Sequence, residues 1–180
     1  MITLVPLGHA DRALVEGLRS PLQRVFQTSV TIQEVRFDLS SFYNESRAQF
    51  NSTQILQSLQ AIYAPPDGKG KLLAVVPHDL FIPILTYVFG EAELGGDVAV
   101  VSYYRFQNEL YGLPKNKALL TERLRKEAVH ELGHAHGLIH CSDQQCVMHT
   151  STYAEDIDLK STDFCTDCTR SLAAQRPFVH

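Results

Sequence analysis

Hydrophobic and polar positions switch between two periods along this chain. Residues 2–7 are an almost unbroken apolar run that reads as a buried strand, after which residues 10–26 place Ala13, Leu14, Leu18, Leu22, Val25 and Phe26 at helical spacing. Pro21 interrupts that stripe and is expected to kink the helix or end it near Arg19 or Ser20. Residues 30–39, rich in β-branched side chains, read as a second strand, and residues 51–63 as a second helix. Asn51 or Ser52 would cap that helix, and Ile55, Leu56, Leu59 and Ile62 would form its buried face. A turn over residues 65–70 leads to a third strand, 72–77. Strand-like segments 86–94 and 97–106 follow, separated by Gly95-Gly96 as in a hairpin.

Strands that alternate with helices imply a largely parallel sheet, to which the hairpin adds an edge. Beyond a loop at Tyr111-Gly112-Leu113-Pro114, residues 116–136 form one long helix. With His130 set at 0°, Leu120, Leu124, Ala128, Leu132 and Ala135 fall between about 80° and 200°, an apolar arc that would lie on the sheet. Glu122, Arg123 and Lys126 are expected on its exposed side. The chain then reads as loop until a final helix over residues 162–174, and residues 177–180 as a frayed tail.

The end of the long helix carries the chemistry. His130 and His134 lie within about 40° of each other, one turn apart, so both imidazoles can reach one zinc. Glu131 then stands at the metal's open side as a general base for a water. Gly137 can end the helix in the left-handed conformation and return a third ligand, His140. His136 points near about 240° and is excluded as a ligand of that metal. The His-Glu-x-x-His spacing alone arises by accident in roughly 2% of shuffled versions of this composition, but Gly137 and His140 at their offsets reduce this to about 5 in 100,000.

These residues, followed by Met148, resemble the metzincin metallopeptidases, and among them the archaemetzincins. That branch adds His140-Cys141, Cys146-Val147-Met148 and Cys165-Thr166-Asp167-Cys168. The resemblance implies a zincin-like α+β catalytic domain with a mixed, mostly parallel twisted sheet, an antiparallel edge strand, two backing helices and an active-site helix. A small C-terminal lobe with one helix would follow. It implies a zinc-dependent peptidase, Met148 packed in a turn beneath the ligands, and an edge strand that pairs with an extended peptide substrate. For Glu91 and Glu93 two readings stand open, ordinary charges that blunt a sheet edge or part of that substrate edge. The same holds for Tyr153 and His149, either cleft residues acting on an oxyanion or plain structural ones.

Cys141, Cys146, Cys165 and Cys168 are the chain's four cysteines, separated by loops of four, eighteen and two residues. Their clustering and spacing point to a second, structural zinc, with disulfides or free thiols as the alternatives. Two zinc ions per chain are therefore expected. The 180 residues suit a single domain, divided into an N-terminal part, 1–137, and a C-terminal part, 138–180, that holds the structural zinc. A net charge of -4 with scattered basic residues argues against nucleic acid. Residues 1–7 lack the pattern of a secretory signal, and the longest apolar run, 80–89, is about half a membrane span. A cytoplasmic monomer acting on peptides or proteins is the resulting expectation. Two other functions compete with it: a non-catalytic zinc or peptide-binding module, and a redox dithiol built on Cys165 and Cys168.

Overall fold

The computed structural model describes residues 1–63 and 70–175, so most of the expected turn at 65–70 and the tail at 177–180 lie outside the described residues. In chain order the elements are β1 (Ile2–Pro6), α1 (Arg12–Gly17), α2 (Arg19–Phe26), β2 (Val30–Ile32), β3 (Tyr43–Asn44), β4 (Gln49–Asn51) and α3 (Ser52–Tyr63). Then come β5 (Lys71–Val76), β6 (Leu80–Phe81), β7 (Gly90–Ala92), β8 (Val98–Ser102), α4 (Lys117–Ala135), α5 (Ala154–Leu159) and α6 (Thr166–Ala174). A five-stranded sheet runs in the order β2-β1-β5-β8-β7, parallel except for β7, which pairs antiparallel with β8 at the edge. The mostly parallel sheet with one antiparallel edge is thus as expected.

Both faces of this sheet are covered, which explains why its strands read as continuous apolar runs. Ile2, Leu4, Leu73, Val75, Ala99 and Val101 pack on one side against α1, α2 and α4. The alternate residues Val5, Leu72, Ala74, Val76, Val98 and Val100 pack on the other side against Ile55, Leu56 and Leu59 of α3. Asn51 caps α3 by accepting from the Gln54 amide at 3.1 Å. Ile62, expected in the buried face of α3, is instead 62% exposed.

Several elements differ in extent. The second strand stops at Ile32 instead of 39: alternate residues of β1 serve β2, and the next one due, Pro6, has no N–H to offer. The first backing helix is two helices that meet at Leu18, one or two residues earlier than expected. Pro21 occupies the first turn of α2, where a missing N–H goes unnoticed. A small sheet, β3-β4-β6, was not foreseen, since its strands are two or three residues long and carry no readable period. Nor was α5, so the C-terminal part carries two helices.

That additional helix reverses one expectation. Arg123 and Lys126 of α4 are buried, because α5 lies over them. Arg123 forms a two-pronged ion pair with Asp158, Nε to Oδ1 at 2.8 Å and Nη2 to Oδ2 at 2.6 Å, while Lys126 Nζ donates to the Ile157 and Asp158 carbonyls at 3.1 and 3.2 Å. The two cations hold the C-terminal part onto the helix that precedes His130.

Candidate active site and metal centres

The apolar arc of α4 behaves as its wheel demands: Leu124, Ala128, Leu132 and Ala135 are fully buried against the sheet. This packing fixes the rotation of the helix and turns His130, Glu131 and His134 toward a cleft of about 550 Å³, walled by residues 85–92 on one side and 150–153 on the other. Asn116 caps the start of the helix through its side chain, which accepts from the Leu119 amide. At the other end Gly137, at φ +86°, donates to the His134 carbonyl at 2.7 Å and Leu138 to the Gly133 carbonyl at 2.9 Å. That pair of bonds reverses the chain and brings His140 back to the cleft.

His130 and His134 are both locked through Nδ1, to the carbonyls of Val147 and Leu138, each at 2.8 Å. A carbonyl can only accept, so Nδ1 carries the proton and each Nε2 is left as a bare lone pair. The two Nε2 atoms face one another at 3.0 Å, and His140 brings a third ring nitrogen within 4.8 Å of both. Facing lone pairs repel unless a cation sits between them. Protonating a ring is not the remedy, since burial pushes the His130 pKa well below its ordinary value and lowers those of His134 and His140 as well. Three neutral imidazoles converging in this way are a group that could hold a divalent metal ion, with one side left open.

Glu131 lies on that open side. It is buried against β7, where a Cβ on Gly90 would come within 2.6 Å of its Cγ and 2.7 Å of its Oε1; only glycine leaves it room. Burial, then the carboxylates of Glu127 and Glu91, push its pKa well above the carboxylate range, and Lys160 pulls the other way. A carboxyl so placed holds a proton more readily than an exposed one. Met148, fully buried, fills the space under the helix at Gly133, where an added Cβ would stand 2.4 Å from its Sδ.

Glu91 is not an ordinary edge charge. It accepts hydrogen bonds from Ser52 Oγ at 2.5 Å and Thr53 Oγ1 at 2.8 Å, joining the edge strand to the first turn of α3. Tyr153 lines the cleft and stays 63% exposed. His149 is turned aside, with Nδ1 on the Cys141 carbonyl at 2.9 Å. His136 stacks on Phe26 at 4.8 Å between centroids and is outside the histidine cluster.

Cys141, Cys146, Cys165 and Cys168 bring their sulfurs within 4.8 Å of one another, and none is in a disulfide. The Cys141 and Cys165 sulfurs are 3.8 Å apart. Disulfide bonding needs about 2.05 Å, whereas four sulfurs around a zinc at about 2.3 Å are separated by about 3.8 Å. Backbone amides already point at the sulfurs: Cys165 N donates to Cys146 Sγ at 3.4 Å and Cys168 N to Cys165 Sγ at 3.5 Å. The second of these holds the Cys165 thiol below its ordinary pKa, while burial pushes Cys146 and Cys168 up.

Sequence reasoning missed Glu127, Lys160 and Tyr87. Glu127 was open to discovery, because the same wheel places it near 60°, between His130 and Glu131. Lys160, 4% exposed with Nζ on the His149 carbonyl at 2.8 Å, and Tyr87, whose hydroxyl donates across the cleft to the Thr152 carbonyl at 2.7 Å, depend on contacts distant in sequence.

Comparison with known proteins agrees with this geometry. Residues 21–174 match the model of peptidase family M54. An archaemetzincin from Methanocaldococcus jannaschii is 39% identical over 95% of this chain and 92% of its own length. The crystal structure of archaemetzincin from Methanopyrus kandleri superposes with a TM-score of 0.83 at 30% identity, covering 97% of this chain and 93% of that one. That from Archaeoglobus fulgidus gives 0.79 at 37% identity, covering 97% and 99%. With a family match over most of its length and relatives that align along nearly all of it, the chain belongs to peptidase family M54, the archaemetzincins, and is a zinc metallopeptidase of zincin-like fold.

Proposed function

We propose that His130, His134 and His140 hold the catalytic zinc, that Glu131 is the general base, and that Cys141, Cys146, Cys165 and Cys168 hold a second, structural zinc. The observation that carries this reading is the pair of bare Nε2 atoms facing each other at 3.0 Å beside the buried Glu131. When bound, zinc supplies Lewis acidity, bringing a water's pKa toward 7 and polarising the scissile carbonyl. Glu131 takes the proton from the attacking water and returns it to the leaving amine, and its raised pKa favours that return. Val147 and Leu138 keep the two histidines in the one tautomer able to bind metal. The edge strand β7, opposite them across the cleft, receives an extended peptide by main-chain pairing. Met148 serves as packing beneath the helix.

In this reading the domain divides at Gly137 into a part that builds the cleft floor, 1–137, and a zinc-stapled part, 138–180, that supplies His140 and the far wall. Four reduced thiols favour a reducing, cytoplasmic setting. Metal analysis of wild type and Glu131→Gln tests the assignment. Two zinc ions per chain in both proteins, with peptide hydrolysis lost in the variant, is the expected result; hydrolysis that survives the substitution would remove Glu131 from the role.

A further inference from the structure

The parallel sheet has a place that the peptidase cleft does not use. β1 leads out through α1 and α2 to β2, its neighbour on one side, whereas β5, its neighbour on the other side, leads out by way of β6 and β7 to β8. The outgoing chains therefore part between the carboxyl ends of β1 and β5. That crevice is where open α/β sheets bind their ligands. Here it holds a cavity of about 390 Å³, within the range of small-molecule sites. Gly8 and His9, which follow β1, His78, which follows β5, and Phe37, Asp38 and Phe50 line it. It shares no residue with the cleft around His130.

The backbone is bent to make this cavity. Gly8 and His9 both take the left-handed conformation, at φ +59° and +63°, and for His9 that is strained. The turn brings His78 so close that a Cβ on Gly8 would stand 2.5 Å from Nε2, and the Gly8 backbone takes one ring N–H of His78. Burial keeps the His78 pKa below its ordinary value, so the ring is neutral and its other nitrogen is an acceptor. Phe50 lies against His78 with ring centroids 4.6 Å apart, and Phe37 is stacked on Phe42 at 5.6 Å, so each ring is held by a second one. Asp38 accepts from the Ser40 amide and hydroxyl, both at 2.9 Å, and remains an acceptor for others. Among the described residues no lysine or arginine lines the cavity, so a phosphate or carboxylate would find no counter-charge.

We propose that this cavity is a second binding site, for an uncharged planar heteroaromatic ring of the nucleobase class, which stacks on Phe37 and Phe50 and donates its N–H groups to His78 and Asp38. Aromatic walls with acceptors between them suit such a ring, flat on its faces and rich in donors at its edge. The missing counter-charge limits the ligand to a free base or nucleoside. The site stands apart from the peptidase reading and does not depend on it.

The test is titration of the zinc-loaded, isotope-labelled full chain with adenosine, followed through its amide chemical shifts. Saturable shifts at Gly8, His9, Asp38 and His78, with a dissociation constant below about 1 mM, are expected. Phe37→Leu and Phe50→Leu keep the apolar bulk but remove the rings. Each should weaken binding at least about fivefold, with the remaining amide spectrum still that of the folded chain. Ribose is the control for the sugar alone and should give no saturable shift. Adenosine without saturable shifts at these residues, binding that ribose reproduces, or affinity unchanged in both variants would overturn the proposal. Should a variant unfold, the contrast between adenosine and ribose on the wild type still decides.

Discussion

His130 is held through Nδ1 by the carbonyl of Val147, 2.8 Å away and 17 residues further along the chain, so the first histidine of the motif is aimed by the residue that precedes Met148. Val147 is fixed in its turn. Its amide donates to the Asp163 carbonyl at 3.2 Å, and the next carbonyl, of Met148, accepts from the Cys141 amide at 3.0 Å. Cys146 directly precedes this segment, Cys141 is bonded to it through that amide, and both belong to the sulfur cluster. The aim of His130 therefore depends on a backbone loop joined to the four cysteines.

Replacing Cys165 and Cys168 with serine should thus do more than remove one zinc. Outer partners of metal ligands are worth about 10- to 100-fold in metal affinity, and loosening the loop removes such a partner. Competition with a chelator is expected to show the remaining zinc held at least about tenfold more weakly than in the wild type. Unchanged affinity would mean that Val147 keeps its place without the second metal.

Gly133→Ala sets two effects against each other. Helix propensity alone favours alanine by about 1 kcal/mol. The added Cβ, however, would stand 2.4 Å from Sδ of the fully buried Met148 and 3.3 Å from the Phe164 ring. Overpacking costs about 1–3 kcal/mol, so the variant should be less stable overall in chemical denaturation. Met148→Ala alone should cost about 2–5 kcal/mol through the cavity it leaves. In the double variant the alanine at 133 should become neutral or favourable; additive losses would show that the two side chains do not share this space.

The elements that could be read from the sequence are those specified by local spacing. His130, Glu131, His134, Gly137 and His140 follow from one helix and its termination, and Asn51 from capping. The open features are contacts between distant segments. A helical wheel sees Arg123 and Lys126 as polar and assigns them to solvent; only the placement of α5 shows that they are buried beneath it. Glu91 reads as an edge charge until Ser52 and Thr53 arrive from α3. Ile62 reads as core from its helical spacing, yet it stands 62% exposed. Gly90 carries no signal of its own, since its need comes from Glu131, 41 positions away.

The Arg123–Asp158 pair should carry much of the attachment between the two parts. Arg123 is almost wholly buried, with its side chain at 5% exposure, whereas Asp158 keeps 32%. Loss of one partner of a buried pair costs about 3–5 kcal/mol, and the partial exposure of Asp158 puts Asp158→Ala at about 3 kcal/mol or slightly less. Thermal melting should fall accordingly, and limited proteolysis should cut first near α5. A change below about 0.5 kcal/mol would mean that Arg123 finds another acceptor, for which the Phe106 carbonyl at 3.4 Å is the candidate.

The two metal sites should answer protons differently. At the histidine site burial lowers all three imidazole pKa values, so the rings are already neutral at pH 7 and metal has few protons to displace. The sign follows directly: a lowered pKa moves proton competition to more acidic solution, and loading of this site should stay flat until the pH is below about 6.5. At the cysteine site burial raises Cys146 and Cys168, while the Cys168 amide lowers Cys165, so the two raised thiols are protonated before metal arrives. Zinc binding there should release at least about two protons and weaken steeply as pH falls. Calorimetry at pH 7 in buffers of different ionisation enthalpy separates the two: a large buffer-dependent heat for one equivalent of zinc and a small one for the other. Equal proton release at both sites would contradict the neutral state assigned to His130, His134 and His140.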